Sequence, residues 1–327
     1  MTSSIKVLYT GGTIGMQASA NGLAPASGFE ARLRGQLLAQ PALAVPEFSF
    51  RELLPLIDSA NMTPAYWQRL RTAIVQAVDD ERCNGVLVLH GTDTLAYSAA
   101  AMAFQLLGLA VPVVFTGSML PAGAPDSDAW ENTNGALMAL GSGLPTGVHL
   151  YFHGQLLAPT RCAKVRSFGR HPFAALKRQG GVASAGALSA QLSYRQPLSA
   201  VQVAVVPLVP GFAAQPLRAL VDSGVQGIVL ECFGSGTGPC DDADFLAALQ
   251  EAFDRRIVVV AITQCHEGGV ELDIYEAGSR LRSVGVLAGG GMTREAAFGK
   301  LHALLGAGLG FAEVRELIEL DLCGELA

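Results

Sequence analysis

Two stretches carry the reading: Ile5-Lys6-Val7-Leu8-Tyr9-Thr10-Gly11-Gly12-Thr13-Ile14 and Gly85-Val86-Leu87-Val88-Leu89-His90-Gly91-Thr92-Asp93-Thr94. Each begins as a mostly apolar run of strand length and passes at once into a glycine-bearing turn that ends in threonine. Runs without polar alternation suit strands covered on both faces, as in a parallel sheet. Ligands of open α/β sheets bind outside the carboxyl ends of the strands. Both threonine hydroxyls, those of Thr13 and Thr92, are therefore expected at such an edge, with the Asp93 carboxylate beside the second.

Working outward, strand-like and helix-like segments alternate. Residues 48–53 read as a strand. Residues 64–78 read as a helix, with Thr63 as its cap, Pro64 at its first position, and Trp67, Leu70, Ile74, Val75 and Val78 on one apolar face. A strand at 86–89 precedes an Ala-rich helix at 94–107 that Gly108 ends. Strands at 111–115 and 148–152 flank a helix at 128–140. Residues 154–200 change character: Arg161, Lys164, Arg166, Arg170, His171, Lys177 and Arg178 lead into a Gly/Ala/Ser-rich stretch around 180–189. Alternation resumes with strands at 201–206, 227–230 and 257–262. The helices of this half fall at 217–221, at 242–253 (capped near Cys240-Asp241), at 293–305 and at 312–320. Repeated βα units predict an α/β protein of two α/β domains. The larger, residues 1–190, holds a mostly parallel sheet with flanking helices; a linker at 191–205 leads to a smaller domain at 206–327.

Length and composition agree. A chain of 327 residues exceeds what one core usually holds. With 50% apolar and 15% charged residues, it suits large buried sheets and further burial in subunit contacts. A net charge of −6 without a basic cluster argues against a nucleic-acid partner. The six cysteines are scattered, with no CxxC pair, which suits free thiols in a reducing compartment. No basic, apolar leader precedes Ile5, and the apolar runs are too short and broken to span a membrane. The cytoplasm is the expected compartment, and no membrane partner is expected.

The loops suggest chemistry. Gly11 and Gly12 admit backbone conformations closed to other residues and let a ligand approach closely. Alone, a TGGT string is more often a phosphate-cradling turn or an ordinary βα turn than a catalytic loop. It is not a Walker loop, since no Gly-Lys-Ser/Thr follows, and Gly11, Gly12 and Gly15 miss the dinucleotide spacing. In the second loop, Asp93 is a candidate cap for the following helix. Alternatively, it holds a base. A hydroxyl needs one to attack at neutral pH, and a buried lysine can serve. Lys164 is the candidate, although read alone it is a solvated surface charge. Together the loops point to a hydrolase with a threonine nucleophile. His90 is read as loop support. His149, His153, His171, His266 and His302 lack metal-ligand spacing, so no metal is expected. Trp67 and Trp130 are read as packing residues.

At these residues the chain resembles the asparaginase/glutaminase family, and within it the bacterial type I (cytoplasmic) L-asparaginases. The segment from Tyr9 to Met16 resembles the first family signature, and that from Leu87 to Tyr97 the second. Between them Pro55-Leu56-Ile57-Asp58-Ser59-Ala60-Asn61-Met62-Thr63-Pro64 resembles the substrate-gripping segment. Thr116-Gly117-Ser118, Ser127-Asp128, Thr263-Gln264-Cys265 and the closing Gly324-Glu325-Leu326 extend the resemblance end to end. It implies that Thr13 attacks the side-chain amide of L-asparagine, that ammonia leaves, and that water releases L-aspartate from an acyl-enzyme. It also implies proton handling by Thr92, Asp93 and Lys164. Substrate would be held by Gly12, Asp58, Ser59, Gly91 and Ser118, with no cofactor and with assembly as a homodimer or homotetramer. An amidase for another small amide (L-glutamine, D-asparagine) and a non-catalytic amino-acid sensor are the alternatives.

Two departures stand out. The family's flap tyrosine, in Gly-Tyr-x-Pro, is here Leu23 in Gly22-Leu23-Ala24-Pro25. Tyr9 lies inside the first strand and is not an obvious substitute; Ser27 is another hydroxyl nearby in sequence. The surrounding residues 16–30 have the composition of a mobile flap. Some type I members bind asparagine at an effector pocket, and Cys265 matches a position there. The basic residue expected near Cys232 is instead Glu231, which would repel a carboxylate, so activation by asparagine is expected to be weak or absent.

Overall fold

The computed structural model describes residues 4–176 and 189–326. The chain divides into two compact units, residues 1–175 and 176–327. Residues 180–188 of the Gly/Ala/Ser-rich stretch, with Lys177 and Arg178, lie outside the described residues.

The first unit begins with β1 (Ile5–Gly11), a hairpin of β2 (Gln17–Ser19) and β3 (Gly22–Ala24), and α1 (Phe29–Leu38). There follow β4 (Phe48–Ile57), α2 (Pro64–Asp79), β5 (Gly85–Leu89), α3 (Leu95–Gln105), β6 (Pro112–Thr116) and α4 (Ala129–Gly141). It closes with β7 (Gly147–Phe152), β8 (Gln155–Leu157) and a hairpin of β9 (Cys162–Lys164) and β10 (Phe173–Ala175). Six strands form one sheet in the order β4-β1-β5-β6-β7-β8. All neighbours are parallel except β7 and β8. Every residue of β1, β5 and β6 is buried, as strands covered on both faces must be.

The decisive feature is register. Ile5 of β1 lies opposite Gly85 of β5, and Tyr9 opposite Leu89. The two strands run side by side and end at the same level, so the loops that follow them leave from one point. α2 forms as its sequence requires: Thr63 Oγ1 accepts the Tyr66 N–H at 3.2 Å, and Trp67, Leu70 and Ile74 are buried. Beneath the first loop, Tyr9 stacks on Phe29 at 5.3 Å and Phe29 on Trp130 at 5.6 Å.

The second unit contains β11 (Val203–Pro207), α5 (Ala214–Asp222), β12 (Gly227–Cys232), α6 (Ala243–Asp254) and β13 (Val258–Thr263). It continues with α7 (Glu276–Ser283), β14 (Leu287–Ala288), α8 (Arg294–Gly306) and α9 (Phe311–Ile318). Its sheet is parallel, in the order β11-β12-β13-β14. Asp242, rather than Cys240-Asp241, caps α6, its carboxylate accepting the N–H groups of Asp244 and Phe245 at 2.9 and 3.4 Å. Lys300, wholly buried on α8, pairs with the equally buried Glu325 at 2.7 Å. The Lys300 ammonium also donates to the carbonyls of Ile318 and Leu320, which ties down the segment after α9.

The six cysteines form no disulfide: Cys83, Cys162, Cys232 and Cys240 are buried, Cys323 is partly covered, and Cys265 is exposed. Burial pushes the Cys232 thiol up to about 12, so it stays protonated. Among the described residues no helix is long and apolar enough to cross a membrane, and no cluster of three or more His, Cys, Asp or Glu could hold a metal ion.

Candidate active site

The adjacent ends of β1 and β5 bring the two loops into contact at their backbones. Gly12, at φ 81°, sits so close to Gly91 that a methyl group on Gly12 would overlap the Gly91 Cα and N. A methyl group on Gly91 would in turn lie 2.6 Å from Ser59 Oγ. Three predicted binding residues from three separate segments therefore meet with no room for a side chain between them. Gly12 donates its N–H to the Ile57 carbonyl at 2.9 Å, so its part in the site is close approach rather than donation. Thr94 Oγ1 donates to the Ser59 carbonyl at 2.8 Å and Thr10 Oγ1 to the Leu89 carbonyl at 3.1 Å, which fixes the segments to one another.

Thr13 follows Gly12 at the start of a single 3₁₀ turn, Thr13–Gly15, and is partly exposed. Its hydroxyl has no hydrogen-bond partner among the described residues. Thr92, one residue past Gly91, is 5% exposed. The Lys164 ammonium donates to Thr92 Oγ1 at 2.9 Å and to Asp93 Oδ1 at 2.6 Å. Asp93 therefore receives Lys164 instead of capping α3, whose start carries no side-chain cap bond. Lys164 is likewise no solvated surface charge: its side chain is only 17% exposed. It arrives at the end of β9, in a small antiparallel sheet outside the main one.

Asp58 caps the 3₁₀ turn Ser59–Asn61, with Oδ1 accepting the Ala60 N–H at 3.1 Å. Its second oxygen has no partner among the described residues and is open to a cation. Ser59 is 3% exposed and abuts Gly91. Ser118, in the loop just past β6, is fully buried, and its hydroxyl donates to the Leu120 carbonyl at 2.5 Å. The Ser118 loop is joined to the first loop by an Ala122 N–H bond to the Ile14 carbonyl at 3.1 Å.

His90 supports the second loop as expected. Its Nδ1 lies 2.7 Å from the Gly91 carbonyl, and complete burial pushes the ring down to about 4, so it is neutral near pH 7. Leu23 lies on the exposed hairpin strand β3, 58% exposed. The Tyr9 hydroxyl is not a replacement for the family tyrosine: it is buried and donates to the Ala26 carbonyl at 3.2 Å. Ser27 makes no side-chain bond among the described residues.

Sequence reasoning missed the role of Asp128. Its carboxylate accepts the N–H groups of Met119 and Leu120 at 3.0 and 3.1 Å, and Asn132 bridges it to the Gly117 carbonyl. The i, i+4 spacing of Asp128 and Asn132 at a helix start was the available signal. The bare repulsive charge expected at Glu231 is corrected by the structure. Arg294 reaches both Glu231 oxygens, at 2.5 and 2.8 Å, and neutralises the carboxylate.

The chain matches two family models: the asparaginase N-terminal domain over residues 4–197 and the glutaminase/asparaginase C-terminal domain over residues 202–318. It is 37% identical to L-asparaginase 1 of Escherichia coli, over 99% of this chain and 98% of that protein. It is 34% identical to a human protein named 60 kDa lysophospholipase, covering 98% of this chain and 61% of that one. The crystal structure of L-asparaginase I from Vibrio cholerae superposes with a TM-score of 0.84 at 33% identity, over all of both chains. The paired glycine-threonine loops, the lysine joined to the second of them and the match along both halves make this chain a member of the asparaginase family.

Proposed function

We propose that the protein hydrolyses the side-chain amide of L-asparagine to L-aspartate and ammonia, with Thr13 as nucleophile. The observation that carries this reading is the Lys164 ammonium joined to the Thr92 hydroxyl and the Asp93 carboxylate, beside the Gly12–Gly91 contact that brings Thr13 to the same place. The names of the relatives support the substrate.

Thr13 Oγ1 bonds to the amide carbon and its proton passes through Thr92 and Lys164 to the amide nitrogen. The C–N bond breaks and ammonia leaves. Water then attacks the Thr13 ester, its proton returns to Oγ1, and L-aspartate is released; the sum is amide plus water to acid plus ammonia. Asp58, with one oxygen unpartnered among the described residues, would receive the substrate ammonium. Ser59 and the backbone N–H groups of the Gly91-Thr92 loop would receive its carboxylate; the oxyanion would sit against backbone N–H groups, and such fixed donors need no reorganisation as charge develops. No cofactor enters this scheme.

Purified protein is expected to release ammonia from L-asparagine. Thr13→Ala and Thr92→Val should each lower kcat by at least about 1,000-fold while calorimetry still detects asparagine binding. Wild type that binds asparagine without turnover would return the protein to the class of amino-acid sensors. The exposed Leu23 favours a second reading, an amidase with another small amide substrate such as L-glutamine or D-asparagine, which the same assay separates. A cytoplasmic location and a homodimer or homotetramer belong to this proposal, and light scattering on the eluting protein tests the assembly.

A further inference from the structure

Lys164 owes its position to the β9–β10 hairpin, and one contact on that hairpin involves two groups able to change charge. Phe173 lies directly opposite Lys164 in the hairpin. Two residues earlier, the His171 ring packs edge-on against His153, with centroids 4.0 Å apart. Phe173 packs in the same way on Phe152, at 5.1 Å. His153 and Phe152 belong to the end of β7 and the turn beyond it. The hairpin is thus held to β7 by an aromatic pair that cannot titrate and an imidazole pair that can.

The far side of the imidazole pair is anchored to the substrate side. His153 adopts a left-handed backbone conformation (φ 45°) and donates its N–H to Asn132 Oδ1 at 2.8 Å. Asn132 in turn bonds the Gly117 carbonyl and Asp128, which holds the loop after Ser118. The His153–His171 contact therefore joins the loop after Ser118 to the strand that carries Lys164.

The surrounding charges bias this contact. From α4, Glu131 lies 3.4 Å from His153 Nδ1; its other oxygen lies 3.6 Å from Arg170. Asp128, also at the start of α4, is taken up by backbone N–H groups and Asn132. From the hairpin loop, Arg170 donates to the Asp126 carbonyl and Arg166 to the His171 carbonyl. From β7, the Tyr151 hydroxyl is pushed above its ordinary value by burial and by Glu131, and stays protonated. Two arginines and one carboxylate thus face two imidazoles. One imidazolium is balanced by Glu131; a second has no carboxylate within ion-pair distance among the described residues.

We infer that His153 and His171 form a proton-sensitive clasp that positions Lys164, tight while both rings are neutral and loosened when both are charged. The inference rests on the role given to Lys164 above. Imidazole is the side chain whose charge ordinarily changes between about pH 5 and 8. At this separation, with the two charges screened as strongly as in bulk water, their repulsion corresponds to about a fivefold loss. Since the clasp positions a group that moves protons, the loss belongs to kcat and leaves KM unchanged.

The test is ammonia release from L-asparagine between pH 5.5 and 8.5 for wild type, His171→Phe and His153→Asn, the latter suited to a left-handed position. Wild-type kcat should fall about fivefold more than that of either variant between pH 7.5 and 5.5. Variants that keep the wild-type acid limb, or that lose activity by one constant factor at every pH, overturn the clasp. Amide exchange gives a readout independent of turnover, through the Val165 N–H that bonds the Pro172 carbonyl at 2.8 Å. Its protection factor should fall on acidification in wild type and hold constant in His171→Phe; equal behaviour in both overturns the inference. Wild type inactive at every pH defeats the hydrolase reading instead, and the exchange experiment still decides the clasp.

Discussion

At the scale of single residues, the site is a set of polar atoms whose partners are nearly all accounted for, and the exceptions are informative. The Thr13 hydroxyl and one Asp58 oxygen are without partners among the described residues, and both residues are partly exposed. Leu23 offers no hydroxyl, and the nearby Tyr9 is committed to the Ala26 carbonyl. Leu23→Tyr should therefore raise kcat with L-asparagine by about tenfold, the worth of one well-placed hydrogen bond. Steady-state rates check this, and an unchanged kcat would mean that another group already fills the position. Glu231 bears on regulation. With Arg294 across both its oxygens, it offers no free cation to an asparagine carboxylate, and a hyperbolic velocity curve is expected. A sigmoidal curve that Glu231→Arg leaves unchanged would count against this.

At the scale of elements, the site is made by parallel neighbours ending at one level, and the backbone contact of Gly12 with Gly91 is its tightest point. Gly12→Ala must both adopt a left-handed backbone and push the second loop away. A cost of about 1–3 kcal/mol in stability is expected. A fall in kcat/KM of about 100-fold or more should accompany it, since displacements near 1 Å have that effect. Paired denaturation and kinetic measurements check both. Much at this scale was legible in the sequence. β1 and β5 announce themselves because they are buried on both faces and so are apolar without alternation, and α2 because Thr63, Pro64 and its apolar face agree. α1 was not legible: within Phe29–Leu38 only Phe29 and Leu33 are buried, and Gly35 interrupts it. α7 is largely polar, and β14 has two residues. Neither gives a pattern long enough to read. Lys164 was a candidate base from its place in the polar excursion, and only the family resemblance tied it to the second loop, because no local pattern links it to a loop 72 residues earlier. The Glu231–Arg294 pair, 63 residues apart, left no trace in sequence at all.

At the scale of the whole molecule, two buried histidines tie stability to pH. Burial pushes His90 and His302 each down to about 4, well under the value of about 6.5 expected in the unfolded chain. The unfolded state therefore binds more protons between these limits. The stability associated with neutral rings is intact above about pH 6.5 and is lost progressively toward pH 4. A shift of this size corresponds to about 3 kcal/mol per ring when fully expressed. The melting temperature should thus drop from pH 7 to pH 4.5, and His302→Gln should flatten the slope; an identical slope in the variant would contradict the assignment.

The distribution of sulfur has a practical side. With Cys265 the one exposed cysteine among the described residues and four others sealed inside, brief treatment with a maleimide dye should mark the folded chain at that point first. The dye would sit just past the end of β13, and any event that alters this corner of the second unit could then be followed as a change in brightness, in a protein that needs no engineering to carry the probe.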